Sequence, residues 1–160
     1  MPAIEVRRAR PDEADALLGL IRGLAAYEKL TPPDAAAEAR LVRDIFGEKP
    51  RLEAFLVFVD GRAGGYALIL ETYSSFLALP TLYLEDIFVE PDLRGCGAGK
   101  ALFQAMVREA RDRGCGRMEW VVLDWNKPAL EFYARHGARP LNDWIPMRLT
   151  REQLDSFGGE

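Results

Sequence analysis

Two clusters of residues in this 160-residue chain have types and spacings suited to chemistry. The first is Arg94-Gly95-Cys96-Gly97-Ala98-Gly99-Lys100. Alternating glycines remove side chains, so successive backbone N–H groups can converge on an anion such as a phosphate. An amphipathic stretch follows at once, and a helix there adds the positive end of its dipole. Arg94 and Lys100 add full charges close by. A Walker loop is excluded because Ala101 follows Lys100 and Arg94 stands where the earlier glycine belongs. A dinucleotide fingerprint is excluded because the glycines fall at 95, 97 and 99. A loop whose glycines only permit tight packing is the rival reading.

The second cluster is Glu85-Asp86, inside Leu-Tyr-Leu-Glu-Asp-Ile-Phe-Val. A carboxylate can hold an ammonium and then take its proton. Adjacent strand residues point to opposite faces, so at most one of the two is expected to meet a ligand on a given face. The single histidine, His136, leaves little room for zinc or a His-based triad. Cys96 and Cys115 fit neither a disulfide framework nor a metal spacing, and Cys96 lacks a readable Cys-His-Asp constellation, which disfavours it as a nucleophile.

The elements that must position these residues follow from local pattern. Ile4–Arg8 alternates as a strand, and Pro11-Asp12-Glu13 opens a helix running to about Glu28. Residues 35–46 form a second helix, closed by Gly47 and Pro50. Strands are expected over 53–59, 63–73 and 81–89, with a tight turn at Asp60-Gly61. A helix over about 98–113 carries Leu102, Met106 and Ala110 on one face. The apolar run 117–123 predicts a strand covered on both faces. Asn126 caps a short helix through Arg135, residues 144–149 read as a closing strand, and Thr150-x-x-Gln153 offers a capping box. The expected fold is α/β: one domain over residues 1–160, a central mixed β-sheet flanked by helices.

Hydrophobic content of 49% suffices for a full core, and no stretch is long and apolar enough to span a bilayer. The start lacks the apolar block of a signal peptide, so a cytoplasmic location is the default. A net charge of −4 argues against nucleic acid as a main partner.

With these residues in place, the chain resembles the Gcn5-related N-acetyltransferase superfamily, whose coenzyme A loop has the form Arg/Gln-x-x-Gly-x-Gly/Ala. It is closer still to the diamine acetyltransferase branch, which includes spermidine/spermine and thialysine acetyltransferases. The stretches that carry this are Leu24-Ala25-Ala26-Tyr27-Glu28-Lys29-Leu30, Phe46-Gly47-Glu48-Lys49-Pro50, Tyr83 to Val89, Val122-Leu123-Asp124-Trp125-Asn126 and Phe132-Tyr133-Ala134-Arg135-His136-Gly137-Ala138. They are collinear with the branch over most of the chain.

The resemblance implies acetyl-CoA as co-substrate, no metal, and direct attack by a primary amine on the thioester. It implies Glu85 as the base and Tyr133 as the acid that protonates the departing thiolate. It implies a cofactor cleft made by the backbone of Ile87, Phe88 and Val89, by Arg94, Gly95, Cys96, Gly97, Ala98, Gly99 and Lys100, and by Asn126, Ala129 and Tyr133. Tyr27, Glu28, Glu119, Trp120 and Val121 match acceptor-contacting positions, with Asp86 a structural partner or an outer charge. It also implies a homodimer. The resemblance implies a small aliphatic primary amine as acceptor, thialysine, lysine-like or a diamine or polyamine. Because polyamine-acetylating members carry an acidic residue and a tryptophan where this chain has Ser75-Phe76-Leu77, a short chain is expected and spermidine and spermine are disfavoured. Two rivals remain, a protein or peptide amine acetyltransferase and a non-catalytic coenzyme A-binding module.

Overall fold

The computed structural model describes residues 1–159, which divide into two compact units, Met1–Val121 and the residues from Val122 onward. The first unit holds five strands: β1 (Ile4–Arg8), β2 (Glu53–Val59), β3 (Arg62–Ser74), β4 (Leu79–Val89) and β5 (Arg117–Glu119). They lie in the order β1-β2-β3-β4-β5, antiparallel except for the parallel β4–β5 pair. The sheet is therefore mixed, as the strand pattern implies.

Alternation along the strands sends residues to two cores. Phe55, Val57, Ala67 and Ile69 pack with Leu102 and Met106 of α3 (Ala98–Asp112). Leu56, Tyr66 and Leu68 pack on the opposite face with Leu17, Leu20 and Ile21 of α1 (Ala14–Glu28) and Ile45 of α2 (Ala35–Phe46). Leu102 and Met106 are wholly buried, and each such side chain contributes about 2 kcal/mol by leaving water. The helix ends are chemically marked. Asp34 accepts the Ala37 N–H at 2.8 Å to start α2, and Lys29 takes a left-handed conformation to close α1. The β2–β3 turn has positive φ at Asp60 and Gly61, as a two-residue hairpin requires.

Two expectations are corrected. The strand expected over 117–123 ends at Glu119, because only Thr81, Leu82 and Tyr83 of β4 pair with it. Arg117 is exposed, so it is not a strand covered on both faces. Residues 144–149 form no strand among the described residues. Trp144, Ile145 and Met147 are 72%, 79% and 89% exposed, and apolar pattern alone supplies no ladder partner.

The second unit contains α4 (Lys127–Arg135) and α5 (Arg151–Gly158). The Asn126 side chain accepts the Ala129 N–H, Pro128 sits in the first turn of α4, and Gly137 follows with φ of +88°. Thr150 N–H donates to Gln153 Oε1 at 2.7 Å, the expected capping-box contact at the start of α5.

Candidate active site

β4 carries an extra residue relative to β3. Leu68 pairs with Asp86 and Ile69 with Leu84, so Glu85 has no opposite number and forms a bulge. A one-residue insertion inverts the in–out alternation beyond it. Before the bulge, Leu82 and Leu84 pack in the α3-side core; after it, Phe88 packs in the α1-side core. The inversion turns Asp86 to the face that Glu85 already occupies. The expectation that these neighbours face opposite ways is corrected here: both line one cavity of about 420 Å³. Its walls are aliphatic, from Ile21, Leu41, Leu52, Leu68 and Leu70, and its remaining lining residue is Arg51.

The acids are electrostatically linked. Tyr66, fully buried, donates its hydroxyl to Asp86 Oδ2 at 2.8 Å. Burial pushes the Asp86 carboxyl up to about 6; the Tyr66 hydrogen bond opposes this, and the charges of Glu85 and Glu28 reinforce it. Burial also raises the Glu28 carboxyl. Asp86 thus has the structural partner expected of it, and it also faces the cavity. Three carboxylates within mutual reach favour a cation, which would relieve their repulsion.

On the next stretch, Ile87, Phe88 and Val89 pair with Ala67, Tyr66 and Gly65 of β3. No strand of the sheet pairs with the other edge of this stretch, since β5 stops opposite Tyr83. An extended ligand can add to such an edge as a strand does.

The loop that follows is fastened to the β2–β3 hairpin. Glu90 N–H donates to Gly64 O at 2.9 Å, Arg62 pairs with Glu90 and Asp92, and Leu93 packs so closely on Gly64 that a Cβ there would meet it at 2.2 Å. Gly95 and Gly97 take φ of +81° and +96°, conformations that side chains disfavour. The first hydrogen bond of α3 runs from Ala101 N–H to Gly97 O. The N–H groups of residues 95–100 therefore have no backbone acceptor among the described residues. Six such donors in a loop at a helix start suit an anion such as a pyrophosphate. The Cys96 thiol is engaged within the loop, donating to Leu93 O at 3.1 Å.

Arg94, at the start of the loop, is held by its neighbours. Its Nε donates to Val89 O at 2.9 Å, and its guanidinium lies 4.6 Å from the Tyr27 ring centre and 5.6 Å from that of Phe88. It ties the loop to the end of α1, beside Glu28. Lys100 remains exposed at the first turn of α3.

Glu119 lies opposite Tyr83 and pairs with Arg117 at 3.2 Å, Trp120 packs edge-on against Phe103 with ring centres 5.5 Å apart, and Val121 is exposed. Within the second unit, Asn126 and Ala129 begin α4, and Tyr133 lies two turns along it, edge-on to Phe132. Burial pushes the Tyr133 phenol up to about 12, so it is protonated at neutral pH. Residues 75–77 occupy the β3–β4 turn, with Phe76 fully exposed.

The structure thus brings Glu85 together with Asp86 and Glu28, and joins Tyr27 to the loop through Arg94. Sequence reasoning missed Asp86 and Arg51 as lining residues of the cavity and Tyr66 as the hydrogen-bond partner of Asp86. A bulge leaves no mark in the periodicity of one strand, and Arg51 lies in a connection with no pattern.

Comparison with known proteins agrees with this geometry. Residues 21–138 match the model of the acetyltransferase (GNAT) family. The chain is 33% identical to thialysine N-epsilon-acetyltransferase of Sus scrofa, over the full length of both proteins. It is 28% identical to L-ornithine N5-acetyltransferase NATA1 of Arabidopsis thaliana, covering 95% of this chain and 86% of that one. Among solved structures, aminoglycoside N-acetyltransferase AAC(6')-Iy in complex with CoA shares the fold, with a TM-score of 0.75, 23% identity, and coverage of 94% and 97%. A bulged, acid-bearing β4, an open strand edge and a glycine loop at a helix start thus occur in a chain that belongs to the GNAT acetyltransferase family.

Proposed function

We propose that this chain is a single-domain N-acetyltransferase that moves acetyl from acetyl-CoA to the primary amine of a short aliphatic molecule. The observation that carries the reading is the β4 bulge, which lines one cavity with both Glu85 and Asp86 beside an open strand edge. Acetyl-CoA fits the chain's donors: the N–H groups of 95–100 suit its pyrophosphate, and the edge at Ile87, Phe88 and Val89 suits its pantetheine arm. Lys100 adds charge at the loop, and the resemblance assigns Asn126 and Ala129 to cofactor binding as well. No metal is assigned a part.

An alkylammonium is protonated at neutral pH, with an ordinary pKa near 10.4, and must lose a proton before it attacks. Asp86 and Glu28 hold the cation, and Glu85, on the bulge, takes the proton. The free amine nitrogen then bonds to the thioester carbonyl carbon, and a backbone N–H at the β4 edge steadies the developing oxyanion. The C–S bond breaks and Tyr133 gives its proton to the departing thiolate, while the second proton of the acylated nitrogen leaves to solvent, from which the Tyr133 phenolate regains one. Burial that keeps this phenol protonated supports that role. Tyr27, Glu119, Trp120 and Val121 complete the acceptor side.

The thialysine and ornithine acetyltransferase relatives support a lysine-like or diamine acceptor. The absence of an acidic residue and of a tryptophan at 75–77 weighs against a longer polyamine. We assign a homodimer in the cytoplasm, on the resemblance to the dimeric branch; no helix among the described residues is long and apolar enough to cross a membrane. The test is a panel of amino acids, diamines, polyamines and lysine peptides with free-thiol detection of released coenzyme A. Release with small primary amines above that with peptides is expected. Tight acetyl-CoA binding without release across the panel refutes the reading.

A further inference from the structure

The lining of the acceptor cavity carries both signs of charge. Glu85 and Asp86 supply negative charge, with Glu28 near enough to raise the Asp86 carboxyl. Arg51 supplies the one cationic side chain of the lining, and aliphatic side chains from α1, α2 and β3 lie among them. A diamine or polyamine carries only positive charge, so Arg51 repels it. A molecule with an amine at one end, a carboxylate at the other and methylenes between satisfies every part of this lining.

Arg51 is also available. Most arginines of the sheet unit are committed: Arg113 to Glu53 and Glu109, Arg62 to Glu90 and Asp92, Arg7 to Glu13. The Arg51 guanidinium has no hydrogen bond or ion pair among the described residues. Asp44, whose carboxyl feels the Arg51 charge, is held instead by Arg43 through two contacts of 2.9 and 3.2 Å. The Arg51 backbone is anchored, however, by its N–H donating to Asp44 O at 2.7 Å. A fixed stem with an unspent, planar, two-pronged donor suits bidentate binding of a carboxylate.

We propose that Arg51 binds the α-carboxylate of the acceptor and selects a free basic amino acid over the corresponding diamine. This rests on the acetyltransferase reading and narrows it. Kinetics of coenzyme A release would compare L-lysine, L-lysinamide and cadaverine, which share the chain and the ε-amine but differ at the carboxylate. The unmodified protein is expected to show kcat/KM at least tenfold higher for lysine than for lysinamide or cadaverine. Arg51→Gln should collapse that ratio, chiefly through the KM for lysine, and Arg51→Glu should invert it in favour of the dication. Equal kcat/KM for lysine and lysinamide in the unmodified protein, or a ratio untouched by Arg51→Gln, overturns the assignment while leaving the acetyltransferase reading standing. No release with any of the three, or with the wider panel, sinks the reading beneath it instead.

Discussion

Asp86→Asn separates the cost of the acceptor site from its use. The Asp86 carboxyl is pushed from an ordinary 3.8 up to about 6 by burial and by Glu85 and Glu28. Between those two values the folded protein binds more protons than the unfolded chain. Stability therefore falls as pH rises through that window and levels off above it. Two pKa units at about 1.36 kcal/mol each set the cost at about 3 kcal/mol at neutral pH. Asparagine removes the charge and keeps an oxygen to accept the Tyr66 hydroxyl, which now donates at 2.8 Å. Its new amide N–H groups can lack acceptors, which returns about 1 kcal/mol. Urea unfolding of the ligand-free protein from pH 4.5 to 8 should show the variant gaining on the parent as pH rises, by about 2 kcal/mol at pH 7. Acceptor binding should weaken at the same time, since one of the carboxylates that draw the ammonium is gone. A stability difference that is constant across the pH range would refute the claim that Asp86 is held as a strained anion.

Glu85→Gln should lower turnover by about a hundredfold or more, as for loss of a general base, and should remove the acidic limb of the pH–rate profile; an unaltered profile removes Glu85 from that role. Tyr133→Phe should cut turnover while acetyl-CoA affinity, measured by calorimetry, stays near the parent value, and unchanged turnover discards the acid. Gly97→Val places a branched side chain at a φ of +96° in the donor cradle, so acetyl-CoA binding should be lost. Normal affinity in that variant would discard the loop as the pyrophosphate site.

Local chemistry determined much of this protein. The helices over 14–28, 35–46 and 98–112 follow from apolar spacing and marked ends, and the turn at Asp60-Gly61 from its residue types. The glycine loop was legible as a candidate anion site because backbone access to an anion depends on which side chains are missing, and that is written in the residues themselves. Tertiary structure decided what depends on two segments at once. The bulge at Glu85 exists only as a mismatch between β3 and β4, so alternation along β4 alone placed Asp86 on the wrong face. β5 stops at Glu119 because its partner residues on β4 run out, although the apolar run continues to Leu123. Residues 144–149 have the pattern of a strand and no ladder to join. Arg51 acquires meaning only because α1, α2 and the β4 bulge meet around it, a fact of packing that no spacing in the chain encodes.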